Sequence, residues 1–170
     1  MPSYSKSQQV GSAAKDKTSE HVPKAKVRPT DLLRGILHHY RKVKMFDAYM
    51  ALEIGLDDGR RVDAMLLRYS RGPVAFEVKV KRSDWLNELK DPTKHQTAKD
   101  LAGQLYFVAP PGVIQEGELP PGTGLYEVKP FTNRVKLVKE ADRKSPTPVD
   151  WELAARIAAG ALRAAEAGVV

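Results

Sequence analysis

Residues 61–80 have the sequence RVDAMLLRYSRGPVAFEVKV, which is the most informative stretch of the chain. It contains two extended segments joined by a turn at Arg71-Gly72. Alternate side chains of a strand share one face, so Glu77 and Lys79 point one way while their apolar neighbours point into the opposite layer. The pattern therefore predicts a strand that buries one face and presents two charged groups on the other.

A third charged residue, Asp63, stands near the start of the preceding extended segment. If the two segments pair as neighbours, Asp63 approaches the end of the strand where Glu77 projects. Two carboxylates, with the backbone carbonyl of Val78 as a further oxygen, suit Mg²⁺ or Mn²⁺. Beside such an ion, Lys79 would stabilise developing negative charge, and phosphodiester hydrolysis is the natural reaction.

The rest of the chain predicts a mixed sheet flanked by helices, an α/β or α+β fold. The predicted strands are Tyr49–Leu56, Arg61–Tyr69, Pro73–Val80, Gln104–Val108, Gly124–Val128 and Arg134–Val138. The predicted helices are Leu32–Lys44 capped by Thr30, one capped by Ser83, one opened by the pair Thr93 and Gln96 and ended by Gly103, and one capped by Thr147. The apolar stripe of the last helix is predicted to be Trp151, Ala154, Ala158, Leu162 and Ala165.

Composition narrows the classes of function. The chain has 170 residues and a net charge of +7, which favours a polyanionic partner. It has no cysteine, which excludes disulfides, thiolate zinc sites and cysteine nucleophiles. Its sequence has neither a run apolar enough for a membrane span nor a secretory signal, so we expect a soluble, cytoplasmic protein that does not bind membranes.

Charge and polarity also divide the chain into three parts. Residues 1–28 are basic and poor in large apolar side chains, which predicts a disordered tail. Residues 29–140 contain the predicted sheet, and residues 141–170 are predicted to be a linker followed by a C-terminal helix.

The arrangement of Asp63 with Glu77-Val78-Lys79 resembles the PD-(D/E)XK nuclease superfamily. The run from Arg61 to Val128, with Arg82-Ser83-Asp84-Trp85 and Tyr106–Gly112, looks like small bacterial and phage proteins of the MmcB-like DNA-repair type. The resemblance implies a restriction-endonuclease-like core and a Mg²⁺- or Mn²⁺-dependent deoxyribonuclease of DNA repair or phage DNA processing. It assigns Asp63 and Glu77 as metal ligands and Lys79 as the catalytic lysine.

The sequence departs from that family in two places. Val62 stands where the motif often has proline, and the predicted first helix lacks the acidic residue that many members use. Gln96 matches a catalytic glutamine that some relatives place after the core strand, but a capping role explains it equally well.

Four cations near the predicted second and third helices would contact DNA phosphates or simply face solvent; they are Arg82, Lys90, Lys94 and Lys99.

Three functions are compatible with the sequence. The chain would be a nuclease, or a noncatalytic nucleic-acid-binding protein with the same fold. Alternatively, its alanine-rich C-terminal helix would make it a homodimeric interaction protein.

Overall fold

The computed structural model describes residues 26–44, 47–69, 71–91 and 93–169. Most of the predicted basic tail, residues 1–25, lies outside the described residues. Within the described part of the chain, no helix is long and apolar enough to cross a lipid bilayer.

The described strands form one six-stranded sheet in sequence order. They are β1 (Ala48–Gly55), β2 (Arg61–Arg68), β3 (Val74–Val78), β4 (Leu105–Ala109), β5 (Gly124–Lys129) and β6 (Arg134–Lys139). The pairs β1–β2, β2–β3 and β5–β6 are antiparallel, whereas β3–β4 and β4–β5 are parallel. The prediction of a mixed sheet in an α/β or α+β fold is confirmed.

Helices cover both faces of the sheet. They are α1 (Pro29–His38), which continues into a π-helical turn (His39–Val43), α2 (Arg82–Glu88), α3 (Gln96–Ala102) and α4 (Trp151–Glu166). On one face, α1 packs its apolar residues against Phe76 and Tyr126. On the other face, Ala98 of α3 and Leu153 of α4 pack over Met65, and Trp85 of α2 is fully buried.

The residues Asp57-Asp58-Gly59-Arg60 between two extended runs predict a hairpin, and this hairpin forms. Asp57-Asp58-Gly59 connects β1 to β2, and Gly59 has a φ of 76°, a conformation that costs glycine little. The Leu56 amide donates to the carbonyl of Arg60 at 2.8 Å and closes the turn. This turn fixes the register that brings Ile54 opposite Val62.

The predicted helix caps are wrong at several positions, and in α4 and α1 a nearby carboxylate takes the free amide instead. Helix α4 begins after Asp150, whose Oδ1 accepts from the Leu153 amide at 2.8 Å, and Thr147 lies outside the helix. Helix α1 begins at Pro29 rather than after a Thr30 cap, and Asp31 accepts from the Arg28 amide. Helix α2 begins at Arg82, before the predicted cap Ser83, and α3 begins at Gln96, with Thr93 in the preceding turn.

The predicted apolar stripe of α4 is also wrong. Trp151 is 89% exposed and Leu162 is 64% exposed, whereas Leu153, Gly160 and Ala164 are buried. Gly160 decides which face turns inward, because a Cβ there would lie 2.8 Å from the carbonyl oxygen of Leu52. Helix α4 therefore approaches the backbone of β1 along the side that carries its glycine.

Replacing Gly160 with alanine is expected to destabilise the protein by about 1–2 kcal/mol, although alanine favours a helix interior by about 1 kcal/mol. The added methyl group would collide with β1 and push α4 away from the sheet. Urea unfolding measures the difference, with Gly117→Ala as control because nothing lies within 4 Å of a Cβ at that position. Equal loss of stability in both variants would contradict this packing.

Candidate functional site

Strands β2 and β3 separate at the position of Asp63. Their pairing runs from Leu66 opposite Val74 to Ala64 opposite Phe76. One residue pair further on, the carboxylate of Asp63 accepts a hydrogen bond from the Val78 amide at 2.8 Å. A side-chain oxygen thus takes the place that a strand carbonyl holds in a regular ladder, and Asp63 is fixed at the end of β3.

Strands β1 and β2 are both irregular next to this separation. Glu53 of β1 has a φ of 55°, which is unusual for a residue other than glycine. Leu52 and Ala64 belong to the core on the α1 side, whereas Ile54 and Val62 belong to the core on the α4 side. The side chains of β1 and β2 therefore change faces around Glu53 and Asp63.

Glu77 places a second carboxylate in the same region. Its side chain is only 7% exposed, and burial together with the negative charge of Asp63 raises the pKa of Glu77 to about 8. The amine of Lys79 lies 3.6 Å from Glu77 Oε2 and opposes that rise only in part. The structure thus brings together the three residues that the sequence singled out: Asp63, Glu77 and Lys79.

Lys79 has a stronger partner on α2. Its Nζ lies 2.6 Å from Glu88 Oε2, a shorter distance than the one to Glu77. Burial by itself lowers the pKa of the Lys79 amine, but contact with Glu88 and the charge of Glu77 outweigh burial, so the pKa is raised. The amine of Lys79 therefore keeps its proton near neutral pH and acts as a positioned cation.

Glu88 is the centre of a buried charge cluster. Its Oε1 lies 2.7 Å from Lys94 Nζ and 2.7 Å from His95 Nε2, while its other oxygen contacts Lys79. Burial alone would raise the pKa of Glu88, but the contacts with His95, Lys79 and Lys94 hold it well below its usual range. Glu88 therefore stays charged while Glu77, in the same cluster, resists ionisation.

His95 connects the two glutamates. Its ring is buried edge-on against Phe107, with 5.1 Å between ring centroids. Its Nδ1 lies 3.9 Å from Glu77 Oε1, and its Nε2 contacts Glu88. Among the described residues, however, no three His, Asp or Glu side chains are grouped in a way that could hold a metal ion by themselves.

Glu88 and His95 are members of the site that sequence reasoning missed. Glu88 follows the core residue Trp85 by three positions, which places it on the inward face of α2. That spacing is the one available sign of its burial. The sequence next to Lys94 predicts at most a phosphate contact for His95, because the approach of Phe107 cannot be deduced from residues near it in the chain.

The structure does not bring Gln96 to this cluster. Its exposed side chain donates to Asp100 Oδ1 at 2.7 Å, one helical turn further along α3. Successive positions of a helix point about 100° apart, so an inward His95 turns Gln96 outward. The geometry gives no support to the predicted catalytic role of Gln96.

The four cations predicted to contact DNA all have protein partners. Arg82 pairs with Glu118, Lys90 donates to Asn87, Lys94 pairs with Glu88, and Lys99 donates to the carbonyl of Pro121. A nucleic acid would have to share or displace these contacts. DNA binding by this surface stays a prediction.

Comparisons with known proteins support the fold alone. No family model matches the chain, and no curated protein does. One solved structure, the SPO1766 protein of unknown function from Silicibacter pomeroyi, matches with a TM-score of 0.61 and 21% identity. The match covers 84% of this chain and 90% of that one, so the architecture extends over most of both proteins.

Replacing Glu77 with glutamine is expected to stabilise the metal-free protein at alkaline pH. A folded pKa of about 8 lies above the unfolded value of 4.5, so the wild-type protein loses stability as pH rises through that window. At pH 9 in EDTA the amide should raise the free energy of unfolding on the order of 2–4 kcal/mol. Below about pH 4.5 the two proteins should converge. Glu166→Gln makes the same substitution at an exposed position and serves as the control.

Replacing Glu88 with glutamine is expected to have the opposite effect. The lowered pKa of Glu88 means that its charge stabilises the fold above about pH 4.5 and that this stabilisation is lost as pH falls. At pH 7 the amide removes the nearest carboxylate partner of Lys79, Lys94 and His95, at a cost of about 3 kcal/mol. Chemical unfolding at pH 7 tests this; an unchanged midpoint would rule out Glu88 as the centre of the cluster.

Proposed function

We propose that this protein is a metal-dependent deoxyribonuclease that hydrolyses phosphodiesters, with Asp63 and Glu77 holding Mg²⁺ or Mn²⁺ and Lys79 assisting. The observation that carries the proposal is the meeting of two carboxylates and an amine where β2 and β3 separate. A role in DNA repair or phage DNA processing is part of the same proposal.

The donor set fits a hard divalent cation. Both carboxylates supply oxygen, the ligand atom that Mg²⁺ and Mn²⁺ prefer. The Asp63 charge disfavours ionisation of Glu77, and a cation between them would offset that repulsion. The Val78 carbonyl adjoins an amide that already faces Asp63, so a backbone oxygen is available at the same edge. Bound there, the ion would activate water and polarise a phosphate.

The amine of Lys79 is held in place by residues that would not contact the substrate. Glu88 contacts its amine at 2.6 Å, and Lys94 and His95 contact the other oxygen of Glu88. We infer that Glu88 and His95 are positioning residues that keep the amine beside Glu77. A cation fixed in this way stabilises negative charge on a phosphate without reorganising during the reaction.

The overall charge supports a polyanionic substrate. The chain carries 28 lysine and arginine residues against 21 acidic ones, and a net charge of +7 favours encounter with nucleic acid.

A second candidate function is noncatalytic nucleic-acid binding. The observation that favours it is that the described residues lack a group of three or more metal-binding side chains. The ion pair between Lys79 and Glu88 is also a stable structural contact that needs no substrate. In this alternative the charge cluster holds α2 and α3 on the sheet, and binding uses the basic surface.

The nuclease proposal predicts cleavage of single-stranded, nicked or branched DNA in Mg²⁺ or Mn²⁺ at low salt. Asp63→Asn, Glu77→Gln and Lys79→Gln should each lower the rate at least about 100-fold, because each removes a metal ligand or a charge at the reacting phosphate. Glu166→Gln should cleave at the wild-type rate. Gel assays with end-labelled DNA measure these rates. Cleavage undiminished in the first three variants would reject the site.

Calorimetry with Mn²⁺ separates the two candidates. A nuclease should bind Mn²⁺ and lose that binding in Asp63→Asn. Wild-type protein that takes up no Mn²⁺ and binds DNA as tightly as Asp63→Asn would instead favour the noncatalytic function.

A further inference from the structure

A charged cleft lies at the opposite end of β3 from the carboxylates of Asp63 and Glu77. It is bounded by the last residue of β2, the turn before β3, the start of β4 and the segment after β6, and its volume is about 460 Å³. Its charged lining consists of four cations and one carboxylate: Lys44, Arg68, Arg71, Arg143 and Glu140. The cleft is therefore strongly basic.

Two of these cations converge on a single backbone oxygen. Arg68 Nη2 donates to the Arg71 carbonyl at 3.2 Å, and Arg143 Nη2 donates to the same oxygen at 3.0 Å. Because both atoms contact one oxygen, they lie within about 6 Å of each other, a range in which like charges repel appreciably. The fold holds two guanidinium groups together without placing a carboxylate between them.

The positive charge of the cleft is poorly compensated. Among the ion pairs of the described residues, none involves Lys44, Arg68 or Arg143. The one lining carboxylate, Glu140, accepts a hydrogen bond from the Tyr106 hydroxyl. Burial, and then the charges of Arg143 and Arg71, lower the pKa of Arg68. A bound anion would therefore stabilise Lys44, Arg68 and Arg143.

Two buried tyrosines, Tyr40 and Tyr106, line the cleft, and Tyr126 lies next to Tyr40. The hydroxyls of Tyr40 and Tyr126 share a hydrogen bond at 3.2 Å, and Lys44 Nζ donates to Tyr126 at 3.2 Å. Both rings, like that of Tyr106, are almost fully buried, so they cannot stack on a nucleobase. The cleft can therefore bind an anionic group through positive charge and hydrogen bonds, but it offers no aromatic surface on which a nucleobase could stack.

We propose that this cleft binds the dianion of a phosphate monoester. Three cations without an ion pair among the described residues, Lys44, Arg68 and Arg143, against one carboxylate favour a doubly charged group over a singly charged phosphodiester. Guanidinium groups donate to phosphate oxygens in a matching fork geometry, and a cleft of this volume accommodates a ligand of mononucleotide size. The site is separate from the carboxylate pair and does not depend on the proposed nuclease activity.

Such a group has two sources, a small phosphorylated molecule or the phosphorylated end of a nucleic-acid strand. The shared chemistry is the terminal phosphate, and the probes distinguish the sources. They are inorganic phosphate, adenosine 5′-monophosphate, adenosine, and a thymidine hexanucleotide with either a 5′-phosphate or a 5′-hydroxyl. Calorimetry in EDTA at low salt measures each affinity without a divalent metal.

The expected result is binding of adenosine 5′-monophosphate, of the 5′-phosphorylated hexanucleotide, or of both, at least about 10-fold tighter than the matched probe without phosphate. Binding of the nucleotide alone assigns a small molecule, and binding of the phosphorylated strand alone assigns a nucleic-acid end. Equal affinity for phosphorylated and unphosphorylated members of each pair would overturn the proposal.

Variants locate the binding in the cleft. Arg143→Gln and Arg68→Gln should each weaken binding of the phosphorylated probe about 10-fold or more, since each removes a charged donor. Arg134→Gln, an exposed arginine on β6, makes the same charge change away from the cleft and should stay within about twofold of wild type. Arg143 is exposed, so its variant decides the question even if Arg68→Gln fails to fold.

Two results would contradict this location. One is wild-type affinity in Arg143→Gln. The other is a loss of phosphate binding in Lys79→Gln as large as that in Arg143→Gln, which would assign the anion to the opposite end of β3.

Discussion

The hydrogen bond from the Val78 amide to the Asp63 carboxylate is the contact on which the site depends. It occurs where β2 stops pairing with β3 and where the side chains of β2 change faces. A regular ladder would satisfy the Val78 amide with a carbonyl and would leave Asp63 free to turn toward solvent. The separation of two strands thus converts an ordinary aspartate into a fixed charge beside Glu77.

The cluster around that contact shows how two identical side chains acquire opposite properties. Glu88 receives Lys79, Lys94 and His95 and remains ionised, whereas Glu77 faces Asp63 and has its pKa raised to about 8. Most of the local positive charge is committed to Glu88, so the pair formed by Asp63 and Glu77 is left short of it. A bound cation would restore the balance. The cleft at the other end of β3 has the reverse imbalance, an excess of positive charge.

The sequence was sufficient for features that depend on local patterns. Strand alternation predicted that Glu77 and Lys79 share a face, and Asp57-Asp58-Gly59 predicted the first hairpin. Other features depend on contacts between distant segments. Glu88 and His95 enter the site because α2 and α3 fold back onto β3 and β4, and Gly160 turns α4 by approaching β1. Sequence periodicity shows that a helix has an apolar face, but it does not show which element of the fold that face packs against.

Anomalous diffraction from crystals soaked in Mn²⁺ tests the metal site directly. One strong peak is expected between the carboxylates of Asp63 and Glu77, with an oxygen of each within about 2.5 Å of the ion. Crystals of Asp63→Asn treated in the same way should lack that peak. A map of the wild-type protein with no ion between the two carboxylates at saturating Mn²⁺ would show that they do not form a metal site.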